Sequence, residues 1–306
     1  MPRSIIMKRR VVNLLNRIIR HTFWYNNKFW NGATKFWKQK QFGLDIVNLG
    51  SGAGVHAFSY ENLSIKGDNW ALGPQSLKHD FNILRNYFSY INVGGYVVIV
   101  VCPFSCLESH YDKSHSFKYY TFLHPATIAN FDDNERTRAL MIKNNPFQQM
   151  PRYCIIQTLR EIKSRVITSI RPHKKDLQRT AIDMMNCWKK QFGLEDLSAH
   201  ISEKHLKELQ GRKKTLVEII EFCKEREINP VVVIPPMYHT LSDMFPEEFK
   251  KNYIDVFLKD INTPVYDYMK DVEMDKEEYY QTALFLNEEG ARCFTKRVLK
   301  DINLIH

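Results

Sequence analysis

The sequence predicts an α/β fold built on a mostly parallel sheet, and three observations predict it. Continuous apolar runs at Asp45–Leu49, Tyr96–Val101 and Pro230–Ile234 have the character of strands buried on both faces. Segments of helical periodicity separate them. Alternation of this kind gives parallel strands covered by helices on both sides.

The elements follow in order along the chain. Residues 9–23 place Val11, Val12, Leu15, Ile18, Ile19 and Phe23 on one helical face, with Arg9, Arg10, Asn13, Arg17, Arg20 and His21 on the other. Three of the five tryptophans, Trp24, Trp30 and Trp37, lie just beyond, interleaved with lysines. The first strand, Asp45–Leu49, runs into GSGAG, a tight turn. Gln75–Tyr90 reads as a helix with Leu77, Phe81, Leu84 and Phe88 on one face, and Gly95 then precedes the second strand. Helices are expected at Thr137–Lys143, Cys154–Thr168, Leu177–Gln191 and His200–Glu225. After the strand Pro230–Ile234 come a helix at Glu247–Lys259, a short strand at Pro264–Tyr268 and a last helix at Glu288–Asp301. The expected organisation is an arm over residues 1–44 and one α/β domain over residues 45–306, carrying a helical insertion over about 104–228.

Charge separates the arm from the rest. Residues 1–44 hold ten Lys and Arg and no Asp or Glu, so they carry the entire net charge of +10. The six cysteines, Cys102, Cys106, Cys154, Cys187, Cys223 and Cys293, form no CxxC pair and no zinc-type spacing. They read as buried thiols in a reducing compartment. No apolar run reaches the length of a membrane span, and the N-terminus lacks the continuous apolar stretch of a signal peptide. A cytoplasmic protein, peripheral at the inner face of the membrane, is expected, with no metal and no cofactor.

The turn IVNLGSGAG admits two readings. One is the glycine loop of S-adenosylmethionine-dependent methyltransferases, where glycines let the backbone approach a cofactor. Asn48 stands where such enzymes usually carry an acid, and no acid closes an obvious second strand to hold a ribose.

The other reading covers most of the chain after Asp45. The ordered blocks DIVNLGSGAGVHAFSY, NWALGPQSLKHDFNIL, VGGYVVIVVCPFS, NPVVVIPPMYH and FLNEEGARCFTKRVLKDI resemble the SGNH (GDSL) hydrolase-like proteins of bacterial surface-polysaccharide loci. The resemblance implies a three-layer, flavodoxin-like α/β fold. It also implies a catalytic serine after the first strand and an Asp-x-x-His pair before the last helix. Here the serine position is Gly52, the acid position Thr282 and the base position Phe285. Glycine has no nucleophile and phenylalanine accepts no proton, so acyl transfer by that route is lost. The implied role is a non-catalytic one in polysaccharide assembly or modification. Its expected partners are a glycan or acylated sugar and a protein of the synthesis complex. A carbohydrate esterase or O-acyltransferase with relocated catalytic residues is the alternative.

Several residues are candidates on this reading. Ser51 is a shifted nucleophile or a turn serine, and His239, after Pro235–Pro236, a base or a loop histidine. Gly50, Ser51, Asn69, Gly73, Gln75, Ser105 and Asn287 are expected around a ligand pocket, with Cys106 beside Ser105. Asp267 is read as a turn or cap residue rather than an acid of the site. The basic, aromatic arm is expected to lie on an anionic membrane surface or to pack on protein. Its apolar stripe argues against nucleic acid, for which basic and aromatic residues alone would serve.

Overall fold

The structure is a computed structural model that describes residues 3–38, 41–108, 116–170 and 175–305. Lys40 of the arm, and residues 109–115 and 171–174 of the expected insertion, lie outside the described residues. The chain divides into two compact units: Met1–Lys40 with His115–Lys174, and Gln41–Ser114 with Lys175–His306.

Among the described residues the second unit holds one five-stranded sheet. Its strands are β1 (Leu44–Leu49), β2 (Gly67–Asn69), β3 (Ile91–Val100), β4 (Asn229–Ile234) and β5 (Val265–Asp267), in the order β2-β1-β3-β4-β5. Every pairing is parallel, and β1, β3 and β4 are neighbours as expected. This is the order of flavodoxin-type doubly wound sheets, not the 3-2-1-4-5-6 order of dinucleotide-binding sheets. The strands sort their side chains by alternation. Ile46, Val98, Val100, Val231 and Val233 share a core with Phe294, Val298 and Leu299 of the last helix, Glu288–Asp301. The alternate set, Val47, Leu49, Val97, Ile99 and Val232, is fully buried as well. The helix Glu203–Lys224 packs on β4 and on the helix Leu77–Tyr87 to supply cover.

Caps set several of these boundaries. Ser202 accepts from His205 N and opens Glu203–Lys224, and Gly193 in the left-handed region closes Leu177–Phe192. Asn287 accepts from Gly290 N and opens the last helix. Asp267 takes the turn role, accepting from Met269 N at 3.0 Å and pairing with Lys250.

The first unit corrects the expectation of a separate arm. Trp24 and Trp30 do not lie open to an interface; both are buried, as is Tyr25 between them, and Trp37 is half-buried. Their partners come from 116–170. Trp24 Nε1 donates to Thr158 Oγ1 at 3.0 Å, Tyr25 OH to Ile142 O at 3.2 Å, and Trp37 Nε1 to Thr121 Oγ1 at 2.9 Å. The Trp30 ring stacks on Phe117 with centroids 5.5 Å apart. Buried indole and phenol groups need both apolar cover and a polar partner, and for Trp24 and Tyr25 the helices Pro151–Ile170 and Asp133–Asn144 provide the partner. The expected insertion is therefore divided between the units. The expected apolar stripe of residues 9–23 is divided too. Ile19 is buried, Val12 and Leu15 are half-buried, and Val11, Ile18 and Phe23 are exposed.

Among the described residues, no helix is long and apolar enough to cross a membrane.

Candidate functional site

A cavity of about 450 Å³ opens at the carboxyl ends of β1 and β3. In a sheet of order 2-1-3-4-5 this is where the chain's winding reverses and where such folds hold ligands. Six segments of the second unit build it, one of them the glycine-rich turn after β1.

The turn is held by close packing. Gly50 has φ of 125°, which side-chain-bearing residues rarely adopt. A Cβ at Gly50 would also meet Val100 at 2.9 Å, and one at Gly54 would meet Ala71 Cβ at 2.9 Å. These glycines thus serve contact with β3 and with the loop after β2, and they do not form a cradle open to a cofactor. The strand order and this packing both count against the methyltransferase reading. The second strand, β2, ends on Asn69; the acid it contains, Asp68, accepts from Trp70 Nε1 at 3.0 Å.

A buried carboxylate locks the turn to the next loop. Asp80, on Leu77–Tyr87, accepts from Gly50 N at 2.8 Å and from Gln75 Nε2. Gln75 Nε2 also donates to Gly50 O at 3.3 Å, and Gln75 N donates to Ser51 Oγ at 3.1 Å. Ser51 is therefore in the wall, with its hydroxyl engaged as an acceptor. No hydrogen bond joins it to a histidine among the described residues.

Gly52 begins the helix Gly52–Ala57, and Phe285 stands against it: a Cβ on Gly52 would lie 3.1 Å from Phe285 Cζ. Thr282 is tied into the same turn, its Oγ1 accepting from Phe285 N at 3.0 Å. Gly52 and Phe285 thus meet at the cavity, while Thr282 is joined to Phe285 through this bond and does not line the cavity. Behind Phe285 lies His56, with ring centroids 4.6 Å apart. His56 Nδ1 accepts from Gln281 Nε2 at 2.7 Å, and burial pushes its pKa below the usual histidine value. A partly buried imidazole held as an acceptor is a neutral one.

Of the residues expected around a pocket, Ser51, Gly73, Gln75 and Ser105 line the cavity. Ser105 Oγ accepts from Cys102 N at 2.9 Å, closing the turn after β3, and Cys106 is buried with its thiol pushed up to about 12 by desolvation. Gly50, Asn69 and Asn287 do not line it. Asn69 is structural: its Nδ2 donates to Gly54 O and Phe58 O, each at 3.0 Å, and its Oδ1 accepts from Ala71 N. Asn287 is spent on the helix cap. His239 lies outside the cavity lining and pairs with Asp275 at 3.0 Å on an exposed edge.

The far wall comes from residues that the sequence did not single out. Trp188 and Cys187 enter from Leu177–Phe192, and Arg212 from Glu203–Lys224. Phe104 stacks on Phe192 with centroids 5.0 Å apart and packs against Trp188 at the same distance. The cysteine expectation is corrected here as well, since Cys187 is exposed at the cavity. Among the described residues, no group of three or more His, Cys, Asp and Glu is arranged to hold a metal ion.

The cavity thus offers aromatic rings, hydroxyl and amide groups, one arginine, the Asp80 carboxylate, the His56 imidazole and the Cys102 and Cys187 thiols, and among the described residues no hydrogen bond joins Ser51 to a base. No protein-family model matches the chain, and no curated protein matches it significantly.

Proposed function

We propose that the second unit is a non-catalytic SGNH-hydrolase-like domain that binds an acylated sugar in the cavity at β1 and β3. It would do so at the cytoplasmic face, within a complex that assembles or modifies a surface polysaccharide. The observation that carries the reading is the packing of Phe285 on Gly52. Where the resembling hydrolases need a serine and a proton acceptor, this chain has a hydrogen atom and an apolar ring in contact. Parallel order 2-1-3-4-5 and the position of the cavity support the scaffold. Trp188 and Phe104 give flat apolar faces, and Gln75, Ser105 and Arg212 give polar groups for hydroxyls or an acyl carbonyl. The relocated esterase is the reading this arrangement disfavours, because Ser51 lacks a base and His239 is elsewhere.

The test is binding of O-acetylated and de-acetylated oligosaccharides, read by calorimetry. An acetylated ligand should bind, protect Cys187 from alkylation, and lose affinity in Trp188→Ala. Equal binding of both forms, or no protection of Cys187, would rule out this ligand class.

A further inference from the structure

The first unit carries a surface that the cavity reading does not use. The helix Pro151–Ile170 turns Cys154, Thr158 and Glu161 toward its own unit, with Gln157 half-buried beside them and the Tyr153 ring edge-on to Trp24. Glu161 accepts from Phe23 N and Trp24 N, and Thr158 from Trp24 Nε1, so this is the packed side. On the flank next to it, about 100° round the helix at 3.6 residues per turn, Ile155, Leu159, Ile162 and Val166 recur at helical spacing, between 51% and 60% exposed. Ile156 and Ile167 widen the stripe. A water-facing helix would not place branched apolar residues there, since each forgoes burial.

The charge around the stripe selects its occupant. Met1–Lys40 and His115–Lys174 together contain twenty Lys and Arg against four Asp and Glu, a net +16, while the other unit carries −6. The one acid of this helix, Glu161, is on the packed side, and Arg165 pairs with it. Arg152, Arg160 and Lys163 are exposed beside the apolar residues. A second copy docked on this face would bring together two units of net charge +16, with Arg152, Arg160 and Lys163 of each at the contact, which repulsion opposes. An anionic lipid surface complements the charge and buries the stripe. The helix would then lie in the plane of the interface, about 30 Å long at 1.5 Å per residue.

We infer that the first unit is a membrane-docking module whose apolar anchor is the exposed face of Pro151–Ile170, seated on an anionic bilayer. This relocates the anchor from the tryptophans of the N-terminal segment, which are committed to the interior. It is independent of what the cavity binds.

The experiment is co-sedimentation of the full chain with vesicles of phosphatidylglycerol and of phosphatidylcholine. The full chain should partition onto phosphatidylglycerol, weaken with added salt without being abolished, and ignore phosphatidylcholine. Leu159→Glu with Ile162→Glu should weaken partitioning about tenfold or more, because apolar insertion is removed and like charge added. The pair Leu159→Met and Ile162→Met should bind as the parent does. Both positions are exposed, so neither pair disturbs the interior, and unchanged circular dichroism checks this. Failure of the full chain to bind phosphatidylglycerol would overturn the proposal, as would undiminished binding of the glutamate pair. So would a lipid-independent dimer that the glutamate pair dissociates, since the stripe would then belong to a second copy.

Discussion

Gly52 and Phe285 touch across the mouth of the turn after β1, with room for a Cβ on Gly52 only 3.1 Å from Phe285 Cζ. The two positions are therefore coupled. Gly52→Ala should cost more stability in the parent than in a Phe285→Ala background, where the ring no longer crowds the new methyl group. The coupling in a double-mutant cycle is expected at about 0.5–1 kcal/mol, within the range for residues in contact. Additive effects in denaturant melts would mean that the two do not meet.

Asp80 holds the glycine turn and the Gln75 loop together through Gly50 N and Gln75 Nε2. Asp80→Ala would leave a buried backbone N–H without its acceptor. The expected loss is ~1.5–3 kcal/mol, the range for hydrogen bonds to a charged group. Asp80→Asn keeps an acceptor oxygen and should cost less. A melting temperature for Asp80→Ala equal to that of the parent would contradict this role.

His56 is kept neutral by burial, its pKa held below the ordinary value. The folded state therefore binds a proton less readily than the unfolded state. The stability contribution is full above about pH 6.5, the unfolded histidine value, and is lost as the pH falls through the lower folded value. Thermal melts between neutral and mildly acidic pH should show a shallower loss in His56→Gln than in the parent. A His56 imidazole that titrates at or above the ordinary value by NMR would reverse the sign.

Trp30 is fully buried in the first unit and stacks on Phe117. Trp30→Ala should destabilise that unit by ~3–5 kcal/mol, as large aromatic truncations in cores do. The loss should appear as an earlier helical transition by circular dichroism. An unchanged melt would return the arm to the status of a free extension.

The sequence reading succeeded where the chain is locally uniform. β1, β3 and β4 announce themselves as apolar runs because both faces of each strand are covered. β2 was missed because Gly67–Asn69 is short, polar and held at the sheet edge by pairing with β1. The helix Gly52–Ala57 was missed because its glycines read as turn residues, although they are there for close approach to Phe285, Ala71 and Val100. The arm's aromatic content was visible, but its partners were not. Thr158, Ile142 and Phe117 lie far along the chain, and no local pattern pairs them with Trp24, Tyr25 and Trp30. At the site, Ser51 and Ser105 were legible because they follow strands in turns, whereas Gly73 and Gln75 came from the resemblance of the block NWALGPQSLKHDFNIL. Trp188, Arg212 and His56 sit on helices, where periodicity assigns them to core or solvent and gives no sign of a cavity. Asn69 and Asn287 were polar residues at the right places in sequence that the backbone had already claimed.

The central claim is that the cavity beside Gly52 holds a ligand without attacking it. The most direct measurement is treatment of the full chain with a fluorophosphonate that marks activated serines, followed by mass spectrometry of the peptide containing Ser51. The account expects no adduct, because Ser51 Oγ accepts from Gln75 N and has no hydrogen-bonded base. Stoichiometric phosphonylation of Ser51, with loss of p-nitrophenyl acetate hydrolysis on labelling, would contradict it and make the protein an esterase with a displaced nucleophile.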